Sequence, residues 1–180
     1  MLLTMIAMPA LAVPLARAGT DIRIDPAVSH GTWEGWGASL AWWGKVFGDR
    51  SDLADLFYTT KTVDIAGQSL PGLGFNIVRY NAGACSTNTL ADGRRMVESK
   101  DILPFRQIDA FWLDPRDPDP ASSGWDWSVD TNQRAMLLMA RDRGADRFEL
   151  FANSPPWWMC KNDNPSGAAK ATDDNLAPAH

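Results

Sequence analysis

The chain has 180 residues, of which 45% are hydrophobic, enough for one domain of ordinary size with a real core and too few for two. Seventeen Lys and Arg against 22 Asp and Glu give a net charge of −5 without a basic cluster, which argues against a nucleic-acid partner. Nine tryptophans are the compositional outlier. Each is able to bury roughly 150–250 Å² of surface.

At the amino terminus an apolar stretch from Leu2 to Val13, broken at Pro9, runs into Ala16-Arg17-Ala18, an A-x-A cleavage pattern. It predicts a signal peptide over residues 1–18, a mature start near Gly19 and a secreted, extracellular protein, although no Lys or Arg precedes the apolar stretch. A membrane span needs about 20 apolar residues and is not expected. In this setting Cys85 and Cys160 form a disulfide or remain two separate buried thiols. A bridge between neighbouring parallel strands, about 4.8 Å apart, would stabilise by roughly 4 kcal/mol.

Ile22-Arg23-Ile24 and then Trp36 to Trp43 read as extended. Ser51 to Lys61 reads as a helix, with Leu53, Leu56 and Phe57 at helical spacing and Asp52 and Asp55 where the helix dipole favours them. Pro71 to Gly74 makes a turn into a strand, Phe75 to Asn81. A second helix is expected from about Thr131 to Arg143, with Asp130 as its cap, Gln133 completing a capping-box-like pair and Gly144 at its stop. Phe148 to Ala152 is the third main strand.

This β-α-β-loop-α-β order is the opening of an α/β fold with a parallel sheet, either doubly wound or a (β/α)₈ barrel. No Gly-rich phosphate loop follows a strand, which weakens the nucleotide-binding sheet. The barrel also accommodates the long excursion from Ala82 to Val129, because such barrels build function on loops at the carboxyl ends of strands. Within that excursion, Asp114 to Pro120 is too proline-rich for regular structure, and Trp112, Trp125 and Trp127 flank it. These indoles stack on sugars above a barrel mouth or pin the loop to the barrel. His30 and His180 are isolated and the cysteines lack metal-ligand spacing, so no metal is predicted.

Three ordered motifs carry a resemblance: Gly35-Trp36-Gly37-Ala38-Ser39-Leu40-Ala41-Trp42-Trp43, Gly74-Phe75-Asn76-Ile77-Val78-Arg79-Tyr80-Asn81 and Asn153-Ser154-Pro155-Pro156-Trp157-Trp158-Met159, followed by Asn164-Pro165-Ser166-Gly167. Together they resemble glycoside hydrolase family 30, most of all its endo-β-1,6-galactanase branch. The resemblance implies a retaining glycosidase on a (β/α)₈ barrel, with about the first three β/α units present over residues 19–180, and an accessory β-sandwich whose amino-terminal strand lies early in the chain.

On that resemblance Arg79 and Trp157, at the ends of the second and third strands, line the subsite of the sugar being cleaved. Asn81 and Asn153 add hydrogen bonds to hydroxyls, while Trp158 and Trp43 form cleft wall. Alternatively Arg79 pairs with a carboxylate inside the barrel and Trp158 is core. The partner implied is a β-linked polysaccharide or oligosaccharide, galactan first, with β-1,6-glucan, glucosylceramide and xylan as related outcomes; no cofactor is implied.

The two catalytic glutamates of such an enzyme follow the fourth and seventh strands, which places both beyond His180. Of Glu34, Glu98 and Glu149, none fits either role. Glu149 reads as a structural carboxylate inside the barrel, and Glu34 as a hydroxyl ligand or a structural partner. A complete barrel takes about 250 residues, so the expectation is an amino-terminal piece of an enzyme, inactive alone. A non-catalytic Trp-rich carbohydrate-binding protein is the alternative, and an unrelated α/β protein with core tryptophans is a third.

Overall fold

The computed structural model describes residues 22–98 and 102–166. The signal segment 1–18 lies outside the described residues. Two compact units divide at Trp33 and Glu34. In the first, the described residues form no strand: Ile22 and Ile24 are exposed, and the ordered feature is a turn in which the Asp25 carboxylate accepts from the Ala27 N–H at 3.0 Å. The extended run expected at Ile22 to Ile24 therefore joins no ladder among the described residues.

The second unit is built on a three-stranded parallel sheet. Its strands are β1 (Gly37–Ser39), β4 (Ile77–Ala82) and β5 (Arg147–Ala152), in the order β1-β4-β5. Between β1 and β4 come α1 (Trp43–Phe47), α2 (Ser51–Tyr58) and a hairpin of β2 (Thr62–Ile65) and β3 (Gln68–Pro71). Between β4 and β5 come the excursion and α3 (Thr131–Asp142). The strands expected at Phe75 to Asn81 and Phe148 to Ala152 and both helices are present, within one to three residues at each end. The extended run expected from Trp36 to Trp43 shortens to β1, because the chain turns into α1 at Trp43. The hairpin was not anticipated; its two-residue turn places Ala66 and Gly67 at φ +50° and +78°, the geometry that matches strand twist.

Alternation along β4 sends Val78 and Tyr80 to the helix side and Arg79 and Asn81 to the other. The helix side is the core, where Val78 and Tyr80 meet Leu40, Ala54, Tyr58, Met136 and Ala140. Gln133, Met136 and Ala140 lie on one face of α3 by their spacing, and all three are buried. Burial of Leu40, Val78 and Met136 contributes about 1.5–3 kcal/mol each. Close approach of β1 depends on glycine, since a Cβ at Gly37 would stand 2.2 Å from the Ile77 carbonyl oxygen.

The start of α3 differs from the expected cap. Asp130 adopts φ +55° and its side chain makes no capping bond to the helix. Its carboxylate turns inward, accepting from the Tyr80 hydroxyl and from Gln133 Nε2 at 2.5 Å. The stop is as expected: the helix ends before Gly144, at φ +112°.

Candidate functional site

The carboxyl ends of β4 and β5 open into a cavity of about 180 Å³ lined by Asn81, Asn153, Ser154, Cys85, Trp42 and Arg106, among others. The sheet delivers the first three directly, from β4 and from the residues that follow β5. The remaining three come from the turn after β1 and from the excursion, which folds back on the sheet end through the N–H groups of Ala84 and Cys85, both donating to the Ile108 carbonyl. A Cβ at Gly83 would meet that carbonyl oxygen at 2.2 Å, so glycine permits the return.

Asn81 is held from both sides. β1 ends opposite Arg79, so the Asn81 backbone has no strand beyond it on that edge. Gln133 stands in for the missing strand: its Oε1 accepts from the Asn81 N–H at 3.1 Å and its Nε2 donates to the Asn81 carbonyl at 3.0 Å. With its nitrogen turned toward β5, the Asn81 side-chain amide donates to the carbonyls of Phe151 and Ala82 at 3.2 Å. Asn153, by contrast, is exposed at the cavity.

Arg79 lies one pleat below Asn81 on the same sheet face. Its Nε donates to Glu149 Oε2 at 3.0 Å and its guanidinium lies 4.7 Å from the Phe151 ring centroid. Of the two readings of Arg79, pairing with a carboxylate on the inner face is the arrangement seen. Both side chains stay about half exposed, so the pair adds little stability. Glu34 lies 3.5 Å from Arg147, and Glu98 is exposed on the excursion.

For Trp158 and the excursion tryptophans the packing alternatives are the arrangement seen, while the placements of Trp157 and Trp43 in the cleft need correction. Trp157 and Trp158 are fully buried, because the chain after Pro156 winds into a 3₁₀ turn, Trp157–Met159, that sends both indoles under the excursion. Trp157 Nε1 donates to the Ser86 hydroxyl at 2.7 Å. Trp158 packs edge-on to Trp112 at 4.8 Å, and stacked contacts continue through Trp125 and Trp127 to Phe111 at 5.2–5.4 Å. These indoles pin the excursion to the sheet end and do not form an open wall. Trp43 is corrected as well: its ring meets Phe57 edge-on at 5.2 Å in the main core, and its Nε1 donates to the Ser39 carbonyl at 2.7 Å. Its neighbour Trp42, which was not singled out from the sequence, is the indole that lines the cavity. No sequence signal distinguished the two, since their order in the turn after β1 depends on where the strand ends.

Cys85 and Cys160 are both buried and unbridged, so the disulfide gives way to two separate thiols. Cys85 lines the cavity and its thiol is pushed up to about 11 by burial. Cys160 Sγ faces the Pro156 carbonyl within its own turn, at 3.8 Å. Burial also raises the Asp130 carboxyl above its ordinary value. Among the described residues no group of three or more His, Cys, Asp or Glu gathers as metal ligands, and no helix is long and apolar enough to cross a membrane.

A cleft of mixed polarity at the carboxyl ends of parallel strands, edged by an indole and amides, lies where α/β folds place their ligand sites. Residues 19–179 match the family model of O-glycosyl hydrolase family 30. The chain is 58% identical over 175 residues to an endo-beta-1,6-galactanase of Hypocrea rufa, a match covering 95% of this chain and 36% of the relative's length. A solved structure, a conserved exported protein from Bacteroides fragilis, superimposes with a TM-score of 0.61 at 22% identity, over 86% of this chain and 30% of that one. The chain belongs to O-glycosyl hydrolase family 30.

Proposed function

We propose that this chain supplies the sugar-binding part of a secreted, retaining endo-β-1,6-galactanase on a (β/α)₈ barrel, with residues 1–18 as its signal peptide and 19–180 as the amino-terminal part of the catalytic domain. The observation that carries the reading is 58% identity to a galactanase together with a cleft edged by an indole and amides at the carboxyl ends of β4 and β5. The β-α-β order with a parallel sheet supports the barrel, and the exported structural neighbour is consistent with secretion.

In this reading Asn153 and Asn81 orient hydroxyls of a galactan, and Arg79, held by Glu149, presents its remaining N–H groups to the same sugar from one pleat below. Trp157 and Trp158 act indirectly, by fixing the excursion that carries one side of the cleft. Retaining hydrolysis needs two carboxyl groups about 5–5.5 Å apart, one as acid/base and one as nucleophile. Glu149 and Glu34 each pair with an arginine, and neither lines the cleft. In this reading the 180-residue chain by itself binds the galactan and does not cleave it.

The test is a paired assay on the purified chain. Affinity electrophoresis on β-1,6-galactan should show retardation, and reducing-end analysis should show no hydrolysis. Release of sugar from the galactan would show that the catalytic groups are present after all. Stronger retardation by β-1,6-glucan or xylan would move the specificity within the family.

A further inference from the structure

Among the described residues Trp42 is the one aromatic side chain lining the cavity, and it shares that lining with Asn81, Asn153 and Ser154. Its indole is 36% exposed, whereas Trp157 and Trp158 are closed off completely. What lies over its ring is a charge: the Arg106 guanidinium stands 4.7 Å from the Trp42 centroid and 5.5 Å from that of Phe105. Arg106 belongs to the 3₁₀ turn Pro104–Arg106 of the excursion, and Trp42 to the turn after β1, so two separate loops meet at this contact.

Arg79, Arg94, Arg116 and Arg143 each have a carboxylate at 2.6–3.0 Å. No carboxylate of the described residues is within ion-pair distance of Arg106. A guanidinium held on an exposed indole by the ring quadrupole alone is weakly held, and its N–H donors are left for another acceptor. A pyranose matches both halves of this contact. Its C–H face carries the slight positive charge that the indole face attracts, and its hydroxyls accept from a guanidinium and from side-chain amides.

We propose that Trp42 forms the sugar-stacking subsite of this cleft, and that a pyranose ring takes the place of Arg106 on the indole face while Arg106 turns aside to donate to its hydroxyls. The inference rests on the glycosidase reading above and adds to it the residue that holds the ring. No bond is made or broken in the exchange.

The test is calorimetric titration of the purified chain, shown folded by circular dichroism, with β-1,6-linked galactotetraose. Trp42→Ala should weaken binding by about tenfold, and Trp42→Phe, which keeps a ring, should recover most of it. Arg106→Ala should expose the Trp42 emission to acrylamide quenching before sugar is added, and sugar should then restore the protection. The Trp42 emission is taken as the difference from Trp42→Phe. Wild-type affinity in Trp42→Ala, or quenching in Arg106→Ala that sugar does not reduce, overturns the subsite while leaving the glycosidase reading intact. Absence of binding by the unsubstituted chain overturns both.

Discussion

β4 and β5 present the same face of one sheet in two different environments. Val78 pairs with Phe148 and Tyr80 with Leu150, so each pair shares a face by register. Yet Val78 and Tyr80 are 0% and 7% exposed, whereas Phe148 and Leu150 are 50% and 76% exposed. The strands are similarly apolar; the difference is cover. α3 packs over β4, and nothing among the described residues does the same for the outer side of β5, where an apolar groove of about 390 Å³ runs between Tyr80, Phe111, Trp127, Leu137 and Leu150. A strand's apolar pattern sets which side chains seek burial, but only an element packed across them provides it.

The largest effect that separates the two environments is a cavity under α3. Met136→Ala should destabilise by about 2–5 kcal/mol in urea unfolding, because its fully buried side chain cannot be replaced by its neighbours. Leu150→Ala should change stability by about 0.5 kcal/mol or less, as an ordinary exposed position does. Equal losses at the two sites would mean that β5 is covered in solution and would break the comparison.

A smaller effect tests the polar seam between β4 and α3. Gln133→Leu keeps the bulk of a side chain that is fully buried but leaves the Asn81 N–H and carbonyl without partners. The expected loss is about 1–3 kcal/mol, since water at the sheet end replaces part of the lost bonding, measured by the same unfolding series. A neutral outcome would show that water replaces all of it and that the seam is less sealed than the apolar layer beside it.

The smallest effect is a pH dependence. Burial raises the Asp130 carboxyl above 3.8, so its contribution to stability is full below that pH and is lost as pH rises through the higher folded-state value. The stability difference between the natural chain and Asp130→Asn should therefore move against the natural chain as the solution is taken from acid toward neutrality. A pH-independent difference would mean that Asp130 ionises in the folded chain as readily as in the unfolded one.

Much of this frame was legible from local pattern. The apolar runs around Val78 and Leu150, the helical spacing of Leu53, Leu56 and Phe57, and Gly144 at the end of α3 all act within a few residues, so their elements fell close to where they were expected. The three ordered motifs were enough to place the chain in its family. The hairpin at Ala66-Gly67 was overlooked because its strands are short and mixed in polarity.

The site was less legible, for a physical reason. Whether an indole faces a cleft or a core depends on which element crosses it from elsewhere in the chain. Trp42 and Trp43 are adjacent and chemically identical, yet the first meets Arg106 from the excursion and the second meets Phe57 from α2. Trp157, expected in the subsite, and Trp158, expected in the wall or the core, both became pins, because Ser86 and Trp112 lie over them. Sequence by itself determined β4, β5, α2, α3 and the family; tertiary structure decided the rest of the elements and which side chains they leave open, since burial is a contact between distant parts of the chain.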